Sequence, residues 1–397
     1  MDDRPGTHLD AIGRAGIRFL DYVMHRRGEL DIPTIKDYTL ARILWEVRCE
    51  SLQQCCAASD RPDVVFALWG CYELSHSLKP DYSLTVLDVF ERAALLVIEQ
   101  QADLRILSFR SDWFATDLET TDGLPSWVPD WSQPSLRKQI LPAYDHWARR
   151  NYISSNGYRH HPALSTSRQL RVKGRVIAHI THVCAVPLDG CAELVYTNVP
   201  DCVPFDAIRR DLMQYMPLIK GRLTDRRIWH AVTCEMPSPY LRSSKVGRRL
   251  KKATAAYNWR LYKRRQLSHL YFFGPDGSLV HEGATRYIEG EVIAPDSTEV
   301  CQHLGWYHRQ SSELADLLAC TELRRSALID DGHLALVPSD ANTGDPIAII
   351  QGCDMPMIIR HIGDDDYRLV EEAFVEGTTL GERVDWTQEE GQSIVLI

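Results

Sequence analysis

Apolar residues recur at helical spacing through the first hundred positions. Leu9, Ile12, Ile17, Leu20 and Val23 form one stripe, and Leu40, Ile43, Leu44 and Val47 form another. The Asp-Ile-Pro turn at 31–33 separates them, because proline drives its predecessor out of the helical region. A third stripe, Val86, Val89, Phe90, Ala93, Ala94, Val97 and Ile98, predicts a helix with Ser83 as N-cap and an end near Gln100 or Gln101. Residues 113–157 are rich in Pro, Trp, Asp and Ser and predict an ordered, irregular stretch held by aromatic packing. Gln169–Val186 is full of β-branched residues and predicts strand. Helix is expected again over 206–265, then strands at Leu270–Phe273 and Tyr287–Ile293. The last seventy residues predict strands at Leu334–Val337, Pro346–Ile350, Met357–Arg360, Tyr367–Val370 and Ala373–Val375, separated by Gly- and Asp-rich turns.

The fold class expected is α+β, with an α-rich N-terminal half packed with a β-rich C-terminal unit of small-barrel or sandwich-like form. Four regions follow: a helical one at 1–120, a Trp/Pro-rich segment with strands at 121–200, a basic helical one at 201–266, and a β-rich acidic unit at 267–397. They are expected to form one integrated globule.

Composition narrows the function classes. Of 397 residues, 44% are apolar and 25% charged, the mix of a folded globular protein. The formal net charge of −9 argues against nucleic acid as the partner. Neither an 18-residue apolar run nor an N-terminal apolar h-region is present, so neither a transmembrane segment nor a secretory signal is expected. Eleven cysteines, an odd number with no C-x-x-C pair, argue against a zinc ribbon and fit reduced thiols in the cytoplasm.

Motifs whose spacing carries an enzymatic mechanism are missing. The chain has no G-x-x-x-x-G-K-[ST], no G-x-G-x-x-G after a strand, no H-E-x-x-H and no G-x-S-x-G. His179 and His182 lie three apart on an expected strand, so they point to opposite faces and cannot share an ion without a bend. No cofactor and no metal is expected.

Three blocks are more informative. The first is SDRPDVVFALWG at 59–70, followed by KPDYS at 79–83, and the second is GLPSWVPDWS at 123–132. The third comprises GHLALVP at 332–338, GDPIAII at 344–350, PMIIR at 356–360 and EEAFVEG at 371–377. In order and spacing they resemble the region downstream of the HET domain in fungal heterokaryon-incompatibility proteins. Those proteins carry an arginine–aspartate element before an apolar run, a "DYS" helix start, an "LPSWVPDWS" segment, and a "GD" β unit ahead of an "LR" strand. The resemblance spans about residues 40–200 and 320–385, and the run at 125–132 is its most specific part. Two departures stand out. The family order Asp-Pro-Arg-Asp-Lys is here Asp60-Arg61-Pro62-Asp63-Val64, and the family's "YVHG" is here Phe374-Val375-Glu376-Gly377. Only residues 1–58 precede the first block, too few for the TIR-like HET domain. The resemblance therefore implies the accessory region standing alone, without the NAD cleavage or death signalling assigned to that domain.

Within these blocks Trp127 and Trp131, flanked by Pro125 and Pro129, can clamp an irregular segment onto the core or face a ligand. Arg360, at a strand end, can pair with Asp345, Glu371 or Glu372, or bind an anion. Charge is unevenly spread. Residues 241–265 carry ten Lys or Arg and no acid, whereas 330–397 carry 15 acids and 3 bases. Arg248, Arg249, Lys251, Lys252, Lys263 and Arg264 belong to that basic stretch and are candidates for an anionic surface or partner, or an ordinary surface helix. Two functions are thus expected. The first is an interaction protein of fungal self/non-self recognition, with a protein partner. The alternative is a stand-alone enzyme of fungal secondary metabolism, a cyclase or isomerase acting on a small hydrophobic substrate. Asp81, Tyr82, Asp130 and Arg360 would be its first catalytic candidates, with Trp127 and Trp131 binding the ligand.

Overall fold

The computed structural model describes Leu44 and residues 60–69, 80–109, 123–132, 154–155, 163–164, 168–191, 203–234, 272–273, 279–280, 318–363, 366–378, 381–387 and 390–397. In chain order the elements are α1 (Asp63–Trp69), α2 (Val86–Gln101), β1 (Ala163–Leu164), β2 (Leu170–Val183), α3 (Phe205–Leu212), α4 (Asp225–Val232), β3 (Phe272–Phe273), β4 (Leu279–Val280), β5 (Arg324–Ile329), β6 (Leu334–Pro338), β7 (Pro346–Ile350), β8 (Met357–His361), β9 (Asp366–Glu372), β10 (Phe374–Val375) and β11 (Gln392–Leu396). Short 3-10 turns lie at Arg105–Phe109, Met213–Leu218 and Ala319–Thr321. The fold is α+β. The two expected N-terminal helices (save Leu44, which is buried), the strand at Tyr287–Ile293 and the basic stretch at 241–265 lie outside the described residues. Among the described residues, no helix is long and apolar enough to cross a membrane.

Two units form. The first comprises Met1–Ile177, Ile347–Glu372 and Leu380–Ile397. The longest of its described helices, α2, has its N-cap two residues after Ser83. Thr85 is the N-cap, its Oγ1 accepting from the Asp88 N–H while the Asp88 carboxylate accepts from the Thr85 N–H. Both hydroxyl residues suit a cap, but only Thr85 has an acid three residues on to close the reciprocal box. The helix ends at Ala102, whose left-handed backbone turns its N–H back onto the Ile98 carbonyl.

The apolar face of α2 (Val89, Phe90, Ala93, Val97) packs in one core with strand residues Leu170, Val172, Ile359, Leu369, Ile394 and Leu396. Each such fully buried Val, Leu, Ile or Phe stabilises the fold by roughly 1.5–3 kcal/mol. In this unit β11 runs antiparallel to β2 and parallel to β9, with β8 and β7 following antiparallel beyond β9. Strand β2 alternates as a half-buried strand must, Leu170, Val172 and Gly174 inward and Arg171, Lys173 and Arg175 outward. At Gly174 a Cβ would stand 2.7 Å from Ile394 Cδ1 and 3.1 Å from the Ile349 carbonyl, so a larger residue there needs the Ile394 side chain to move and the backbone to give slightly. A smaller cluster gathers Ile349, Val384, Trp386 and Ile177.

The second unit comprises Ala178–Pro346 and Ala373–Thr379. Here the remainder of β2 pairs antiparallel with β5, β5 with β6, and β6 with β10. A register shift between Ile180 and His182 bulges β2. Helix α4 is capped by Thr224, whose side chain accepts from the Arg227 N–H, and buries Ile228, Trp229, Ala231 and Val232. The Arg227 guanidinium then grips Glu376: Nη2 donates at 2.7 Å and Nε at 3.0 and 3.1 Å. Arg227 also donates to the Lys220 and Gly332 carbonyls, and Glu376 accepts from the Leu334 N–H. Gly332 has φ +83°, and a Cβ there would meet the Leu218 carbonyl oxygen at 2.3 Å.

Candidate functional site

The first unit brings two of the sequence blocks together. Arg61 stands just before α1, and its Nη2 donates to Asp130 Oδ2 at 2.8 Å while its Nε donates to Ser132 Oγ at 3.0 Å. The guanidinium carbon also lies 5.8 Å from the Phe90 ring centre, within cation–π range. Asp130 Oδ1 accepts from the Ser132 N–H and hydroxyl, closing an Asx-type turn. Trp127 and Trp131 are both buried, at 1% exposure. Their indole N–H groups donate to the carbonyls of Arg168 and Phe90 respectively. Ser126, between Pro125 and Trp127, donates its N–H to the Ile397 carbonyl, and its hydroxyl accepts from the Leu369 N–H. The Pro/Trp segment is thereby stitched to α2, β9 and the chain's last residue.

Tyr82 and Asp81 belong to the same unit. The Tyr82 hydroxyl donates to Asp63 at 2.8 Å, and its ring meets Phe66 edge-on at 5.1 Å. That hydrogen bond, then slight desolvation and the Asp63 and Asp60 charges, holds the phenol above its ordinary pKa. Asp81 accepts from the hydroxyl and N–H of Ser83, and these two bonds hold its carboxyl below the usual range. Asp130 and Tyr82 thus both tie into the turn at 60–63. Arg360 lies on β8, half-buried, in register with Arg368 of β9. The candidates Arg248, Arg249, Lys251, Lys252, Lys263 and Arg264 lie outside the described residues.

A different constellation lies in the second unit. His179 and His182 diverge across the bulge in β2: His179 pairs with Asp330 at 3.3 Å, His182 with Asp211 at 3.1 Å. Cys184 completes the latter group, and the His182, Cys184 and Asp211 ligand atoms all lie within 4.8 Å of one another. Burial pushes the Cys184 thiol up to about 12, and the charge of Asp211 and the hydrogen bond to it add to the shift. A thiol so placed is a poor nucleophile, because its nearest ionised neighbour opposes the thiolate. His182 and Cys184, two apart on a strand end, share a face, a spacing visible in the sequence. Asp211 comes from a separate helix and had no such signal.

No family model, curated protein or solved structure matches this chain.

Proposed function

We propose that this chain is an interaction module of fungal self/non-self recognition, akin to the accessory region of heterokaryon-incompatibility proteins and acting in the cytoplasm through a protein partner. One observation carries the reading. The polar side chains of the two most family-like blocks, Arg61, Ser126, Trp127, Asp130, Trp131 and Ser132, hydrogen-bond to one another and to backbone carbonyls and N–H groups. Groups arranged in this way hold a scaffold together, and in this reading the β-rich part is a small barrel or sandwich-like support. The test compares fungal strains with and without the gene, scoring fusion between unlike strains alongside metabolite extracts. The reading expects an altered fusion outcome and unchanged extracts. Unaltered fusion with an accumulated intermediate would overturn it in favour of the stand-alone cyclase or isomerase.

A further inference from the structure

We propose that His182, Cys184 and Asp211 form a binding site for one divalent transition-metal ion of the zinc class, with a fourth coordination position open to water.

The donor set selects the ion. Imidazole nitrogen, thiolate sulfur and a carboxylate oxygen are together the ligands of zinc, and hard cations such as magnesium and calcium take oxygen alone. Three protein ligands leave one tetrahedral position free. The His182 and Asp211 side chains keep 17% and 15% exposure, so that position reaches solvent from their side while Cys184 is fully buried.

The local fold sets the three donors in place. Beyond the bulge in β2, Leu328 and Ala327 of β5 pair with His182 and Val183, and the Cys184 N–H donates to the Ser326 carbonyl at 2.9 Å. This backbone pairing fixes the strand end that carries both donors. Asp211 sits in the last turn of α3, whose Ile208 and Leu212 are fully buried.

Outer groups orient the ligands. The Ala185 N–H binds Asp211 Oδ2 at 2.8 Å, which leaves Oδ1 turned toward His182. That is the arrangement of a carboxylate that ligates through one oxygen and is steered through the other. The Tyr215 ring stacks on His182 at 4.3 Å between centres and 25° between planes, holding the imidazole in its plane. A tetrahedral ion with bonds of ~2.0–2.3 Å sets its ligand atoms roughly 3.3–3.8 Å apart. His182 and Asp211, at 3.1 Å, already stand close enough, and the most separated donors, within 4.8 Å, must draw in by at most about 1–1.5 Å, within the reach of side-chain rotation.

Binding balances simply. The ion replaces the Cys184 thiol proton, which leaves to solvent. It also takes the place of the hydrogen bond between His182 Nε2 and Asp211 Oδ1. The thiol gives up one proton per ion bound.

The test uses the full chain, stripped with a chelator and titrated with cobalt(II), which reports thiolate ligation by a near-ultraviolet charge-transfer band and four-coordination by intense visible absorption. One equivalent is expected to saturate both signals with one proton released. Cys184→Ser is expected to lose the charge-transfer band, and His182→Gln and Asp211→Asn to weaken binding at least tenfold. Circular dichroism verifies that each variant folds, and His182→Gln, at a partly exposed position, serves if Cys184→Ser does not. Absence of a charge-transfer band at one equivalent overturns the proposal. So does a band undiminished in folded Cys184→Ser or, where that variant does not fold, cobalt affinity unchanged in His182→Gln; either would assign the ion to other thiols of the chain.

Discussion

Arg61 and Asp130 hold each other at 2.8 Å across sixty-nine positions of sequence, joining the block that opens α1 to the Pro/Trp segment. The order Arg61-Pro62 explains the geometry. Pro62 begins the helical turn, its carbonyl accepting from the Val65 and Phe66 N–H groups, and the guanidinium leaves the chain one residue earlier. Asp130 is held from the other side by Ser132, so neither charge has to search for its partner.

The two indoles make the Pro/Trp segment part of the core. Replacing Trp127 or Trp131 by Ala should destabilise the chain by about 3–5 kcal/mol, the usual cost of deleting a buried aromatic. Trp→Phe should cost about 1–3 kcal/mol, because the Arg168 or Phe90 carbonyl then loses its donor. Urea unfolding of the four variants measures both.

In the second unit, Glu376 should matter more than its sequence position implies. Its carboxylate takes a fork from Arg227 and the Leu334 N–H, with both charged side chains at 16% exposure or less. Glu376→Ala should therefore cost about 2–4 kcal/mol, since it strands a largely buried guanidinium. Glu376→Gln, which keeps an acceptor, should cost less. Thermal unfolding of the pair checks the ranking.

Buried thiols should be inert in the folded chain. Desolvation pushes Cys353 well above the ordinary thiol range, with Asp354 and Asp103 adding to it, and Cys184 reaches about 12. At pH 8 a thiol with a pKa of 12 is only about one part in ten thousand thiolate. Alkylation at pH 8 followed by peptide mass analysis should leave Cys184 and Cys353 unmodified until denaturant is added.

The cap of α2 should give an acid-side signature. Hydrogen bonding to Thr85 holds the Asp88 carboxyl below its ordinary value. A depressed folded value stabilises the protein above the unfolded pKa, and that contribution is lost as pH falls through the folded one. Thr85→Ala should cost about 1 kcal/mol at pH 7. Its difference from the parent should narrow below about pH 4, where Asp88 protonates in the unfolded chain. Unfolding curves at pH 7 and pH 3 make the comparison.

Much of the framework is legible locally. The stripe from Val86 to Ile98 is α2, and Pro346–Ile350 is β7 as expected, because short-range periodicity alone sets both. Strand β5 escapes such reading, since Arg324, Arg325 and Ser326 open it with polar residues whose burial depends on distant neighbours. Strand β11 escapes for a related reason: its partners, in β2 and β9, are chosen by tertiary packing. At the sites, Asp130 and Trp131 stand out as a motif, but nothing local identifies Arg61 as the partner. The same holds for Asp211 beside His182 and Cys184, and for Arg227 beside Glu376. At Glu376 the Arg227 fork and the Leu334 N–H together account for the carboxylate.

The most direct measurement is a double-mutant cycle in urea on Arg61→Met and Asp130→Asn. The scaffold role of the two blocks predicts that each single variant loses about 1–2 kcal/mol, and that the double variant loses clearly less than their sum, a coupling of about 1 kcal/mol. Single variants as stable as the parent, with no coupling between them, would contradict it: Arg61 and Asp130 would then be spare to the fold and free for another task.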